Sequence, residues 1–302
     1  MPNWNEILSE IQQKQLEGQR AIDSVRREYL KKLSDYRKRN IITYYSGFLS
    51  KPGLGLLDIN DEDKEGFMTA VHGLDKDKGL DLFLHTPGGD IAATQSIVDY
   101  LHQIFGKDIV AIIPQIAMSA GTMMACSCKE IYMGLHSNLG PIDPHIRQIP
   151  AHGVKYDFQR AYDEIKADPL MMNVWRPILE QYRPAFLTQC EMAIKWSEDF
   201  VRNQLADNMF SDLTQRSAKA KAKKIVRFLG DYKDNKTHSR HIHMQECFDM
   251  GLNVKPLEAD SVLQDLVLTV HHCNMHVMQN ADAYKMIENH LGVATIKNVA
   301  RR

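Results

Sequence analysis

Apolar residues recur along the chain with two spacings, and the change from one to the other marks out its elements. Between Asp108 and Lys129 lie twenty residues without a charge, in a chain that is 25% charged. That length approaches a membrane span, but its interior is articulated. Ile109, Val110, Ile112 and Ile113 form a β-branched run, Pro114 and Gln115 break it, and Gly121 follows Ser119 among small or unbranched residues. The pattern predicts a buried strand, a tight elbow, and a buried helix opening near Ser119. Upstream, the segment 81–90 (D-L-F-L-H-T-P-G-G-D) reads as a short apolar strand closing in Thr86, Pro87, Gly88 and Gly89. After it, Ile91, Ile97, Val98, Leu101 and Phe105 fall on one helical face.

The same reading extends to the flanks. Residues 40–50 predict a strand interrupted by Gly47, followed by a polar, glycine-rich loop over 51–65, a short helix over 67–74, and a further strand over 130–133. Strands alternating with helices indicate an α/β architecture with parallel pairing. Past Pro150 the chain becomes helical over 158–166. Asp168 and Pro169 break that segment, and Pro177 and Pro184 punctuate the next stretch, so one long helix is not expected there. From Ala185, the residues Phe186, Cys190, Ile194, Ser197, Val201 and Leu205 share a face. The alanine-lysine run 219–224 predicts a solvated helix face, with a mobile lid as the alternative. Gly251 stops a helix before a strand, and 263–276 predicts a final amphipathic helix. No internal repeat is visible.

Residues 1–39 predict an N-terminal helical arm, helix-like over 5–39 and separate from a domain over 40–302. Its stripe is Ile7, Leu8, Ile11, Ile22, Val25, Leu30 and Leu33. Its second half is basic through Arg26, Arg27, Lys31, Lys32, Arg37, Lys38 and Arg39. We expect this arm to pack on a neighbouring subunit; a docking helix for another protein partner is the alternative.

Composition narrows the class without naming a function. The 302 residues can hold one large domain or two modest ones. Hydrophobic content of 44% and a net charge of −1 give no reason to expect nucleic acid or a membrane surface as partner. The first residues lack the basic start and apolar run of a signal peptide. Five scattered cysteines, an odd number, fit reduced thiols in a cytoplasmic protein. The His241-x-His243 and His271-His272 pairs have no cysteine or carboxylate spacing that completes a zinc pattern, so no metal is expected. No cofactor motif is present either, since no G-x-G-x-x-G follows a strand.

The chemistry lies in the two uncharged turns. A serine at an elbow has its hydroxyl at a helix N-terminus, where orphan amides and roughly half a positive charge favour a developing oxyanion. Adjacent glycines after a strand let a backbone N–H face a cleft with no side chain in the way. Together they make an acyl-transfer centre, with Ser119 as nucleophile and oxyanion donors from the Gly88 and Gly89 turn and Ala120.

The ordered motifs H-T-P-G-G-D, A-M-S-A-G-T and G-L-H-S-N-L-G-P-I-D-P resemble those of serine peptidases of the Clp/crotonase fold. They are most similar to the serine dehydrogenase proteinase family, relatives of signal peptide peptidase A. The likeness runs from about Asn40 to the segment L-Q-D-L-V-L-T-V-H-H and so covers most of the chain. It implies a spiral of ββα units preceded by an N-terminal helix and ending in a helical C-terminal part. It also implies an ATP-independent peptidase acting on peptides or proteins, and a homo-oligomer.

The base that activates Ser119 stays open. A lysine, as in the signal peptide peptidase relatives, points to Lys166, with Lys155 as its neighbour. A histidine, as in the Clp proteolytic subunit, points to His145, although alignment through S-N-L-G-P-I-D-P brings Ile142 or Asp143 nearer that position. His241 and His243 are the third choice, because triads are defined by geometry and not by chain order. His85 faces either the cleft or the core. Two other readings share the fold: a crotonase-type acyl-CoA enzyme without a serine nucleophile, and an inactive scaffold working through the basic N-terminal helix.

Overall fold

A computed structural model describes residues 4–16, 21–146, 149–230 and 239–299. Its centre is a seven-stranded sheet. In chain order the first three strands are β1 (Asn40–Ser46), β2 (Leu80–His85) and β3 (Ile109–Ile113). Then come the short β4 (Ile116–Ala117), β5 (Glu130–Met133) and β6 (Asn138–Leu139). The small hairpin β7 (His145–Ile146) and β8 (Ile149–Pro150) is next. The last strands are β9 (Ile242–His243), β10 (Val254–Pro256), β11 (Ala283–Asn289) and β12 (Ala294–Asn298). The main sheet runs β10-β5-β3-β2-β1-β11-β12, parallel from β10 to β1 and antiparallel across β1, β11 and β12. A second sheet has the order β4-β6-β9, and its β4 is joined to the end of β2 by a parallel bridge between Thr86 and Ala117.

The near-continuous apolar runs result from burial on both faces of a parallel sheet. Side chains alternate along each strand. Ile42, Tyr44, Leu82, Leu84, Ala111 and Ile113 enter one core, while Ile41, Tyr45, Phe83 and Ile112 enter the other. The first core is closed by α3 (Glu62–Val71), α4 (Ile91–Phe105), α5 (Ala120–Cys126), α8 (Phe186–Gln204) and α9 (Gln215–Gly230). The second is closed by α2 (Ala21–Arg37) and the long helix Ser261–Asn280. β3, β4 and α5 follow one another as strand, short strand and helix, a ββα unit of the kind the resemblance implied. Outside this body, α6 (Ala151–Ala167) packs on α8 through Ala151, Val154, Cys190 and Ile194, and α7 (Met172–Leu179) comes after α6. Among the described residues no helix is long and apolar enough to cross a membrane.

Several elements differ from the expectations. The helical segment 5–39 is two helices, α1 (Trp4–Leu16) and α2. They dock on their own chain, where Ile7, Ile11 and Val25 pack around Cys273 of the long helix. The basic half of this segment is largely engaged internally. Arg26 is buried and donates to Glu288 at 2.6 and 3.2 Å, with Arg27 adding a bond at 3.0 Å. Arg37 and Arg39 both hold buried Asp81, and Arg39 also grips Asp108. The strand expected over 40–50 ends at Ser46, because Ser50 and Lys51 donate back to the Gly47 carbonyl in a turn. The helix expected over 67–74 begins earlier, at Glu62, and the one expected over 158–166 already at Ala151. Pro177 lies inside α7 without ending it. The lysine run 219–224 is a helix face with Ala218 and Ala222 turned inward. The long helix is not the last element, since β11 and β12 come after it.

His85 lies in the core. Its Nδ1 meets the Ser46 carbonyl at 3.2 Å and its Nε2 the Gln115 side chain at 3.1 Å, and its ring stacks on Tyr45. Burial pushes its pKa down to about 4. His271 lies 5.6 Å away ring to ring and is also held low by burial.

Two of these buried groups are open to measurement. Arg26→Ala leaves Glu288 with only Arg27 in a buried site, and is expected to cost about 3–5 kcal/mol in urea unfolding. A loss within experimental error would show that Arg27 alone suffices. For His85 the folded pKa lies below the unfolded value, so its contribution is complete above pH 6.5 and is lost as pH falls through 4. That loss amounts to about 3 kcal/mol. Unfolding midpoints across this window should fall in the wild type and less steeply in His85→Gln; equal slopes would contradict the assignment.

Candidate active site

The two turns singled out in the sequence are stitched together by backbone. β2 and β3 are parallel neighbours, so their C-terminal ends emerge side by side, where parallel sheets place their sites. Beyond them Thr86 bridges Ala117: the Thr86 amide donates to the Ile116 carbonyl at 3.2 Å, and the Met118 amide to the Thr86 carbonyl at 3.0 Å. Each chain then continues two or three residues to the glycines and the serine. Gly88 has φ +103, and a Cβ there would lie 2.7 Å from the Ser119 Cβ and 3.1 Å from the Ala120 nitrogen. No other residue fits, so Gly88 is the contact that brings the turns together.

Gly89 serves a second approach. Its φ is +155, and a Cβ would lie 2.3 Å from the Ile59 nitrogen. The Ile59 amide donates to the Gly88 carbonyl at 2.8 Å, and the Asp90 amide to the Ile59 carbonyl at 2.9 Å. In such a parallel bridge the amide of the middle residue points away from its partner. The Gly89 N–H therefore faces away from Ile59. The Gly88 amide donates to Thr86 Oγ1 at 3.1 Å. Asp90 caps α4, accepting the Ala93 amide at 2.8 Å.

Ser119 sits at φ 49, ψ −113, a region non-glycine residues avoid. Such a conformation costs roughly 1–3 kcal/mol and persists only where the surroundings enforce it. Here the Gly121 amide donates to the Met118 carbonyl at 2.7 Å, and the Thr122 hydroxyl accepts the Gly140 amide at 2.9 Å. The second bond ties the elbow to the strand that leads on to Asp143. Although Ser119 occupies the N-cap position of α5, its side chain caps no amide. Ala120 opens the helix, where first-turn amides have no intrahelical acceptor.

Around the hydroxyl lies a cavity of about 670 Å³. Ser119, Gly89, His145, Asp58 and Asp90 line it, with Ile59, Ile91, Met123, Ile142, Ala193 and Trp196 as apolar wall. His145 opens β7, and its Nε2 lies 3.5 Å from Oδ2 of buried Asp143. Burial pushes the Asp58 carboxyl above its usual range. Trp196 is steadied by a 2.8 Å bond from its Nε1 to Gln95.

Of the predicted site residues, the structure gathers Ser119, Gly88, Gly89, Ala120 and His145. Lys166 is elsewhere: it ends α6, exposed, with its ammonium over the Tyr162 ring. Lys155 lines a different cavity, between α6, α8 and α9. His241 is exposed, and His243 caps the helix Met244–Met250 in a reciprocal box with Glu246. Sequence reading missed Asp58, Ile59 and Trp196. The first two sit in a loop without periodicity, and Trp196 occupies a helix position that spacing alone does not distinguish.

An uncharacterized protein of Methanocaldococcus jannaschii is 29% identical over 251 residues, covering 81% of this chain and 76% of that protein. A second uncharacterized protein of the same organism is 29% identical over 196 residues, covering 65% of this chain. The chain spans 59% of that second relative's length. Residues 7–278 match a family described as ClpP-like SDH-type serine proteinases. That match takes in the glycine turn, the serine elbow and the strand after it, so the chain belongs to the ClpP-like SDH-type serine proteinase family.

Proposed function

We propose that this protein is a serine peptidase that cleaves peptides or proteins through an acyl-enzyme on Ser119, with His145 as base and no nucleotide requirement. The observation that carries the reading is the Gly88–Ser119 contact, which packs the glycine turn against the serine elbow at the start of α5. A peptide carbonyl in the cavity is attacked by Ser119 Oγ while His145 takes the hydroxyl proton. Charge developing on the carbonyl oxygen is held by the Gly89 and Ala120 N–H groups. Each such donor is worth about 2.7–4 kcal/mol of barrier. His145 then returns the proton to the leaving amine, and a water deprotonated by the same imidazole releases the acyl group.

His145 is preferred over Lys166 because it lines the same cavity as Ser119 and has Asp143 behind it. Asp143, 3.5 Å from the His145 Nε2, orients the ring. Gly88 acts by packing, since its amide is engaged by Thr86. A homo-oligomer is part of the proposal, and the exposed apolar residues Leu170, Met172, Val174 and Ile178 along and before α7 offer a surface for it.

A fluorophosphonate probe tests the mechanism. Wild type should be labelled and Ser119→Ala not at all. His145→Ala should label about 10²–10⁴-fold more slowly, the usual worth of a general base. Lys166→Ala should match wild type. Labelling that survives in Ser119→Ala, or that is lost in Lys166→Ala, would overturn the assignment of nucleophile or base.

A further inference from the structure

The Gly88–Gly89 turn is held by Ile59, and Ile59 is held by a buried charge from the far end of the chain. Lys285 on β11 is 1% exposed. Its Nζ donates to the Asp58 carbonyl at 2.8 Å and to Oδ2 of Asp63 at 2.9 Å. Asp63 is fully buried, and the same oxygen accepts the Asn60 amide at 3.1 Å and the Tyr44 hydroxyl at 2.8 Å. Ser46 Oγ donates to the Leu57 carbonyl at 2.7 Å. The loop is thus pinned at Leu57, Asp58 and Asn60, and Ile59 between them is the residue that clamps both ends of Gly89.

We propose that Lys285 is the positioning residue of the Gly88–Gly89 turn, acting through Asp63 and the Asp58 carbonyl on Ile59. Its effect on catalysis rests on the serine-peptidase reading above; its effect on the turn does not. A buried ammonium with two acceptors in fixed directions locates a loop more tightly than apolar packing does, because both the carboxylate and the carbonyl lose a partner if the loop shifts. Lys285 also lies beyond residues 7–278, so this anchor comes from the hairpin after the family match.

The test is Lys285→Met, with Asp63→Leu/Lys285→Met as its charge-free companion. In the single variant Lys297, 3.4 Å from Oδ1 of Asp63, still offsets part of the charge left on that carboxylate, which favours a folded protein. Amide hydrogen exchange is read on peptides covering 57–63 and 86–90, with 109–113 as the internal reference. Both variants should exchange at least about tenfold faster in the first two peptides and unchanged in the third. Under conditions where each is folded, fluorophosphonate labelling should slow by a similar factor at saturation with little change in half-saturating concentration. The double variant, free of an unpaired buried carboxylate, should recover unfolding stability without recovering the labelling rate. Wild-type exchange in 86–90 in either folded variant would overturn the proposal, as would a labelling rate that recovers with stability. Faster exchange in a protein whose wild type takes no label would instead count against the peptidase reading and leave the positioning role standing.

Discussion

The structure depends on one steric fact: the backbone at Gly88 lies against Ser119 so closely that no Cβ fits between them. Parallel pairing of β2 and β3 delivers the two chains to the same end of the sheet, and the Thr86–Ala117 bridge keeps them abreast for two more residues. From there the geometry is over-determined. The serine is held at positive φ, the Gly88 amide is turned to Thr86 while the Gly89 amide faces away from Ile59, and neither turn can relax without displacing the other. The arrangement of the two turns is thus a property of the sheet's architecture, expressed through two loops of which each fills the other's space.

Charge has an unusual place in this interior. Arg26 with Glu288, Arg37 and Arg39 with Asp81, and Lys285 with Asp63 are buried or nearly so, and each joins segments distant in sequence. Pairs of this kind add little net stability over apolar packing, because desolvation offsets the attraction. Their value is directional: a mispaired register would strand a charge. Arg39 illustrates it, reaching Asp81 at the start of β2 and Asp108 just before β3, and so fixing the relative heights of the strands whose opposite ends carry the site.

This division also explains how much was legible in the sequence. The uncharged run 109–128 announces a strand, an elbow and a helix, because burial on both sides leaves no room for a charge and the β-branched residues stop where the turn begins. The glycine pair is legible for a local reason too, since only glycine suits the backbone it forms. Features that depend on distant partners escape. β11 carries Lys285, Glu288 and Asn289 at buried positions, so its alternation of apolar and polar residues is masked and periodicity predicts no strand there. Asp58 and Ile59 look like ordinary loop because their partners are Lys285 and Gly89. The basic second half of the N-terminal segment looks like a free surface because Glu288, Asp81 and Asp108 are remote in the chain. The candidate bases Lys166, Lys155, His145, His241 and His243 are all readable in the sequence, but spacing does not report which lies near Ser119; of them only His145 lines the same cavity.

The two borders of the main sheet have a further consequence. One border, β10, is three residues long and ends in Pro256, which has no N–H to offer a neighbouring chain. The other, β12, carries Lys297, whose ammonium is tied back to Glu62 on α3. Short, proline-ended or charged borders discourage strand addition and the fibrous aggregation it leads to. Growth of the main sheet from one molecule into the next is disfavoured at both sides, which closes that route to amyloid-like stacking.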